Sequence, residues 1–309
     1  KTGLAKDFSK EGTTALGLSL MRFRAAFPKD KHSTFLGVAL CLSAIDSAAA
    51  KNQRRVALQL TPSGIGFVLI RDGLDDMLAF AEIGLEGFTE FRVRSQAADC
   101  IFIALTLSHL VSSLRSSKDA QSTTLRLAKR GEKPVLVVDI DTFEVQVSHD
   151  IPIALLRQAD LDPLSPPSVG RPTLMLQLPQ SRTLRTVMDR LRAIGDRHGG
   201  ESKLVELKLQ ASGSLALKCT TDTSQVKTFF SDLKRLDPQS QSQTQDDALD
   251  DDVVTIKVES KKLYHALACY SNLDFETVTC CPIVGRLLII IVNLGKKQGC
   301  AMLLNIIIQ

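Results

Sequence analysis

The sequence predicts an α+β chain of two β-rich domains, each an internal duplication, with few and short helices. Three observations carry this. One unit, an apolar strand followed by a polar break and a short amphipathic helix, recurs four times. Its copies begin near residues 21, 101, 173 and 254, an interval of roughly eighty residues. The stretches between the copies read as strands joined by turn residues.

The third copy, Pro172 to Gly195, is the clearest. Leu174-Met175-Leu176-Gln177-Leu178 reads as a strand that Pro179 ends, and Ser181 is placed to cap a helix. Leu184, Val187, Met188 and Leu191 then fall on one helical face. Arg182, Arg185 and Arg192 project from the opposite half, with Asp189 among them. In the second copy, strand Ile101–Leu105 and Thr106 precede Leu107, Leu110, Val111 and Leu114 at the same spacing. The fourth has strand Val254–Val258 and Ser260, then Leu263, Ala266, Leu267 and Tyr270. The first begins Met21-Arg22-Phe23-Arg24-Ala25 and continues, after Asp30 and Ser33, into a helix expected over Thr34–Ile45. That helix is apolar nearly all round (Phe35, Leu36, Val38, Leu40, Leu42, Ile45) and has no basic face. A solvated polar face is the commoner meaning of one amphipathic helix; four matched copies ask for a shared role.

In the first domain, Val56–Leu60 and Gly64–Ile70 flank the hairpin signal Thr61-Pro62-Ser63. Met77–Ile83, Phe88–Val93, Thr123–Lys129, Val135–Ile140 and Phe143–Val147 read as further strands. Arg157–Arg171, with three prolines and little periodicity, reads as a connector. The second domain continues with strands Leu204–Leu209, Ser214–Thr220, Val226–Leu233, Thr277–Pro282, Arg286–Asn293 and Ala301–Ile308. The expected division is a flexible extension over 1–20, a first domain over 21–156, a connector over 157–171 and a second domain over 172–309. Within the last, Gln239–Asp252 is polar and finally acidic, and reads as a disordered insert.

The chain has 309 residues, enough for two cores, and a net charge of +4, which by itself points to no partner. Seven scattered cysteines without a CxxC pair point to a reducing compartment. The vicinal pair Cys280-Cys281 should send one side chain into the core and leave the other half-exposed. The apolar run Leu287–Val292 is too short to span a bilayer, and residues 1–20 lack the pattern of a signal peptide.

Catalytic signatures are scarce. The string Leu136-Val137-Val138-Asp139-Ile140-Asp141-Thr142 resembles the first motif of haloacid-dehalogenase-type phosphatases, in which the first Asp attacks phosphorus beside magnesium. Those enzymes also need a lysine and an acidic pair on another strand end, and the acidic cluster Asp246–Asp252 lies in the insert. The five histidines (His32, His109, His149, His198, His265) have no metal-helix spacing, and Gly64-Ile65-Gly66 is no nucleotide fingerprint. No metal, cofactor or catalytic residue is expected.

Four strand–helix units with a connector after the second resemble the sliding-clamp fold of proliferating cell nuclear antigen (PCNA). Val147-Ser148-His149-Asp150-Ile151-Pro152-Ile153, Gln177-Leu178-Pro179 with its helix, Ala211–Lys218 and Thr228–Leu233 resemble the Hus-type (hydroxyurea-sensitive) subunit of the DNA-damage checkpoint clamp, as does the Met21-Arg22-Phe23-Arg24 start. The resemblance covers about Met21 to Gln309 and is clearest from Val147 to Leu233. It implies a two-domain clamp, sheets outside and four short helices lining one face. The chain would be a non-catalytic, nuclear subunit that joins two related subunits in a ring around double-stranded DNA, without sequence specificity. It would be loaded at damage by a clamp loader and recruit checkpoint and repair proteins. The DNA-facing residues would be Arg182, Arg185 and Arg192 on the third helix, Lys261, Lys262 and His265 on the fourth, and His109 and Arg115 on the second. Partner subunits would pair with the strand of Leu125, Arg126, Leu127 and Lys129 and with the strand of Leu215, Leu217 and Cys219. The remaining alternatives are a homotrimeric replication clamp and the magnesium-dependent phosphatase using Asp139 and Asp141.

Overall fold

The computed structural model describes residues 21–45, 55–70, 77–157, 160, 172, 174–179, 183–198, 204–221, 224–236, 253–283, 287–294 and 302–308. The expectations for residues 1–20, Arg182, Ser181, the insert 239–252 and nearly all of the connector fall outside these residues.

All four strand–helix units form. They are β1 (Arg22–Pro28) with α1 (Lys29–Ile45), β6 (Ile101–Thr106) with α2 (Leu107–Ser116), β10 (Leu176–Gln177) with α3 (Thr183–His198), and β14 (Val253–Glu259) with α4 (Ser260–Ala266). After the first helix of each half come three antiparallel strands, β2 (Arg55–Thr61), β3 (Gly64–Ile70) and β4 (Met77–Gly84), or β11 (Leu204–Gln210), β12 (Ser214–Thr220) and β13 (Gln225–Phe230). After the second helix come three more, β7 (Ser122–Arg130), β8 (Lys133–Asp141) and β9 (Gln146–Leu155), or β15 (Thr277–Ile283), β16 (Leu287–Asn293) and β17 (Met302–Ile308). A 3-10 turn (Leu85–Gly87), β5 (Glu90–Arg94) and a short helix α5 (Cys269–Asn272) complete the described elements.

Local chemistry places the boundaries. α1 starts at Lys29, five residues before the sequence reading, directly after Pro28 and with Asp30 in its first turn, where the helix dipole favours a carboxylate. Phe143 is not in a strand. It sits in the β8–β9 turn, 91% exposed. There the Thr142 hydroxyl accepts from the Val145 N–H (3.0 Å) and donates to its carbonyl (2.6 Å). The strand expected over Phe143–Val147 is therefore β9, from Gln146 to Leu155. β13 stops at Phe230 because Asp232 takes a positive φ of 59° and Leu233 N–H turns to the Gly213 carbonyl (2.8 Å). Gly64 turns the β2–β3 hairpin at φ 147°, where a Cβ would collide with the Ile83 carbonyl.

The strands form a 13-stranded sheet, β10-β15-β16-β17-β4-β3-β2-β6-β9-β8-β7-β1-β5, and a 4-stranded sheet, β13-β12-β11-β14. The large sheet runs through both halves because β17 pairs antiparallel with β4, from Met302 opposite Ile83 to Ile308 opposite Met77. The helices lie in one layer, α1 against α2 and α4, and α4 against α3. Period-2 alternation sends one face of each strand to these helices. In β1, Phe23, Ala25 and Phe27 are buried while Arg22 and Arg24 are exposed, and Phe27 stacks on Phe35 of α1 at 4.2 Å.

α1 is buried as its composition predicts, at the middle of the helix layer. His32 is among its buried residues and bonds the Leu114 carbonyl at the end of α2 (2.5 Å). Gly37 lets α1 approach the second half: a Cβ there would lie 2.5 Å from the Asn272 carbonyl and 2.6 Å from Leu273 Cδ2. Cys280 and Cys281 are both 1% exposed, which corrects the half-exposed reading. β15 is covered on both faces, so alternation no longer sends one of the pair to water. Burial pushes the Cys281 thiol up to about 12 and that of Cys280 higher still.

Candidate functional site

The surface of the helix layer that faces away from the sheets carries the predicted cations. On α2, Leu107, Leu110, Val111 and Leu114 are buried, which leaves His109 and Arg115 exposed. On α4, Leu263 and Ala266 are buried. Lys261 is exposed, His265 is half-buried, and Lys262 lies 4.0 Å from Glu259.

α3 differs from its sequence reading. Leu184, Met188 and Leu191 are buried as expected, but Arg185 and Arg192 do not stand clear in solvent. They hold the Tyr264 ring of α4, with guanidinium carbons 5.0 and 4.7 Å from its centroid. Arg185 also donates to the Tyr264 hydroxyl (3.3 Å) and to the Leu267 carbonyl (3.5 Å). Positions 185 and 192 are two turns apart, so both face one neighbour. These two arginines join α3 to α4 and present only part of their charge outward. Arg190, which the sequence reading left aside, is exposed, as is Asp189. The sequence carried Tyr264 and Arg190 plainly, but nothing in a one-dimensional pattern says that α4 passes beside α3.

The two strands expected to meet partner subunits are interior. β7 pairs with β1 on one side and β8 on the other. β12 lies between β11 and β13. Leu125 and Arg126, like Leu215, Leu217 and Cys219, have strand partners on both sides, and Leu125, Leu215, Leu217 and Cys219 are 1–4% exposed. Leu127 and Lys129 lie beyond the reach of β1 and pair with β8 alone. Two further open edges are those of β13 and β9. β13 ends the small sheet. β9 pairs with β8 through Gln146–Pro152 and with β6 only through Ile153–Leu155, so one side of its first seven residues is unpaired.

The phosphatase reading fails on geometry. Asp139 sits within antiparallel β8, opposite Thr124 of β7 and Ser148 of β9. Arg126 Nε donates to its Oδ2 (2.6 Å) and Ser148 Oγ to its Oδ1 (2.8 Å). Burial works against ionisation, yet these bonds and the Arg126 and Arg24 charges outweigh it and hold the carboxyl below its ordinary range. Both oxygens are engaged, so the group is a poor nucleophile. Among the described residues, no three His, Cys, Asp or Glu side chains come together to hold a metal ion.

A two-fold repeat of strand–helix units, one helix layer and a sheet running through both halves is the architecture of solved sliding clamps. The PCNA of Entamoeba histolytica superposes with a TM-score of 0.65 at 13% identity, over 93% of this chain and 97% of that one. The PCNA2–PCNA3 complex of Sulfolobus tokodaii gives a TM-score of 0.62 at 14% identity, over 93% and 99%. The model of Hus1-like proteins matches residues 21–308. The chain belongs to the Hus1-like family. It is 26% identical over 206 residues to checkpoint protein hus1 of Schizosaccharomyces pombe (64% of this chain, 69% of the relative). It is 25% identical over 235 residues to checkpoint protein HUS1 of Homo sapiens (72% and 80%). A Hus1-like chain with the PCNA fold is a non-catalytic subunit of a DNA-damage checkpoint clamp, and the replication-clamp and phosphatase alternatives give way to that reading.

Proposed function

We propose that this Hus1-like chain occupies one third of a closed ring, joins two related subunits by strand pairing at β9 and β13, and encircles duplex DNA in the nucleus. One observation carries the assembly. β17 is the third strand after the second helix of its half, and β4 the third strand after the first helix of the other. Their pairing inside the chain joins the halves. The equivalents of β17 and β4 in the repeat are β9 and β13, and each of these has an open edge. A head-to-tail contact that repeats the internal one closes a ring instead of growing without limit. Phe229 on β13 is 72% exposed and Val147 on β9 is 38% exposed, side chains that such a contact would cover.

The helix layer then faces the channel. Arg190, Lys261, His109 and Arg115, with the outward part of Arg185 and Arg192, offer positive charge to phosphates without a helix shaped to enter a groove and read bases. Arg182 and Lys262 join this set on the family resemblance. A platform of this kind serves a loader and the checkpoint and repair proteins that follow it.

The test is co-purification of the partner subunits with the Phe229→Asp and Val147→Asp double variant. Loss of the partners at an unchanged thermal midpoint is expected. Full retention of the partners would overturn the edge assignment, and a stable homotrimer of the isolated chain in light scattering would overturn the heteromeric ring.

A further inference from the structure

The outer face of the sheet at β1 and β5 carries charge that the clamp function does not use. Register places Arg22 opposite Arg94 and Arg24 opposite Arg92, and Arg126 of β7 opposite Arg24 on its other side. Like charges directly opposite in a sheet cost stability. Within this cluster two carboxylates answer the five guanidinium groups. Glu90 takes Arg24 (2.9 Å) and Arg92 (3.3 Å), and Asp139 takes Arg126. Arg22 and Arg94 have no acidic partner among the described residues. Arg22, Arg24, Arg92 and Arg94 line a groove of about 690 Å³ whose lining also includes Pro62 and Leu85, the latter 44% exposed. β5 ends the large sheet, so its outer side offers a row of unpaired backbone N–H and C=O groups.

We propose that this groove docks an extended acidic peptide segment of a partner protein, which adds as a strand to β5. Its carboxylates meet Arg22 and Arg94, and an apolar residue reaches Leu85 and Pro62. Backbone pairing supplies affinity and the side-chain pockets supply selectivity, as in other strand-addition complexes. Guanidinium groups suit the task because each can hold a carboxylate through two N–H donors. Nucleic acid is the poorer occupant. Alternation turns these arginines to the opposite sheet face from α1, away from the helix layer. The aromatic residue of β5, Phe91, is occupied by Phe23 and Phe88 instead of being free to stack on bases.

The experiment uses the full chain and fluorescein-labelled probes read by anisotropy: a short peptide of alternating Glu and Leu, its Gln counterpart, a single-stranded oligonucleotide and a DNA duplex. The Glu peptide should bind and the Gln peptide should not. The Arg22→Ser and Arg94→Ser double variant should weaken binding by about tenfold or more, since two charge-assisted contacts are lost. Its thermal midpoint should be unchanged or higher, because no ion pair of the fold is removed. Arg115→Ser on the helix layer should leave peptide binding unchanged. Equal binding of the Glu peptide by the double variant would overturn the proposal, as would displacement of the peptide by either nucleic acid at lower concentration through the same two arginines. Absence of peptide binding with self-association of the double variant would overturn it too, leaving the arginines as guards of an open edge.

Discussion

Arg126 Nε lies 2.6 Å from Asp139 Oδ2, an ion pair between neighbouring strands β7 and β8 on the face opposite the helices. Side-chain exposures of 34% and 20% make the pair half-buried, and Ser148 holds the second carboxylate oxygen. The aspartate that looks like a nucleophile in sequence is a structural anion in the fold.

Asp139→Asn should therefore change stability and not chemistry. Loss of a half-buried ion pair and its charge-assisted bonds should cost about 1–2 kcal/mol near neutral pH, measured by urea unfolding. The native carboxyl titrates below its unfolded value, so the contribution is present above the unfolded pKa of about 4 and is lost as pH falls through the native value. The gap between the parent chain and the variant should thus be full at neutral pH and close at acid pH. Neither protein should turn over a phosphate ester with magnesium.

Gly37→Ala should loosen the joint between the halves. The added Cβ meets a backbone carbonyl at Asn272, which cannot rotate away as the tip of a long side chain could. α1 and α5 must separate by a few tenths of an ångström or more, and overpacking of this kind costs about 1–3 kcal/mol. Thermal unfolding should show a lower midpoint, whereas Gly131→Ala, in a turn where a Cβ meets nothing within 4 Å, should lose less despite its φ of 60°.

The helix-layer cations should separate into two kinds. Reversing Arg115, Arg190 and Lys261 to Glu should leave the fold intact and flatten the dependence of DNA retention on salt. Each direct phosphate contact contributes about −0.9 to the slope of log affinity against log salt, so three contacts amount to roughly 2.7. Arg185→Glu should behave differently, weakening DNA retention and lowering the unfolding midpoint, because it also breaks the contact with Tyr264. Equal unfolding midpoints for both variants would contradict the division.

The amino-acid sequence by itself determined the repeat. Apolar residues at helical spacing after short strands recur four times because each helix must bury one stripe on a sheet, and that need is written locally. Local composition likewise showed no apolar run long enough to span a bilayer and marked α1 as apolar nearly all round. Family membership was legible in stretches such as Val147–Ile153 and Thr228–Leu233, within the matched residues 21–308. Strand order was not legible. Leu125–Lys129 and Leu215–Thr220 have the alternation of half-buried strands whether they lie inside a sheet or at its edge, since side-chain periodicity is blind to what fills the backbone hydrogen bonds. Only the pairing of β17 with β4 decided that these two strands are joined inside the chain while their repeat equivalents, β9 and β13, keep an open edge. Packing likewise decided the arginines of α3. Their spacing placed them on one side of a helix, but the position of Tyr264, some eighty residues away in the chain, turned two of them from free cations into the contacts that hold α3 to α4.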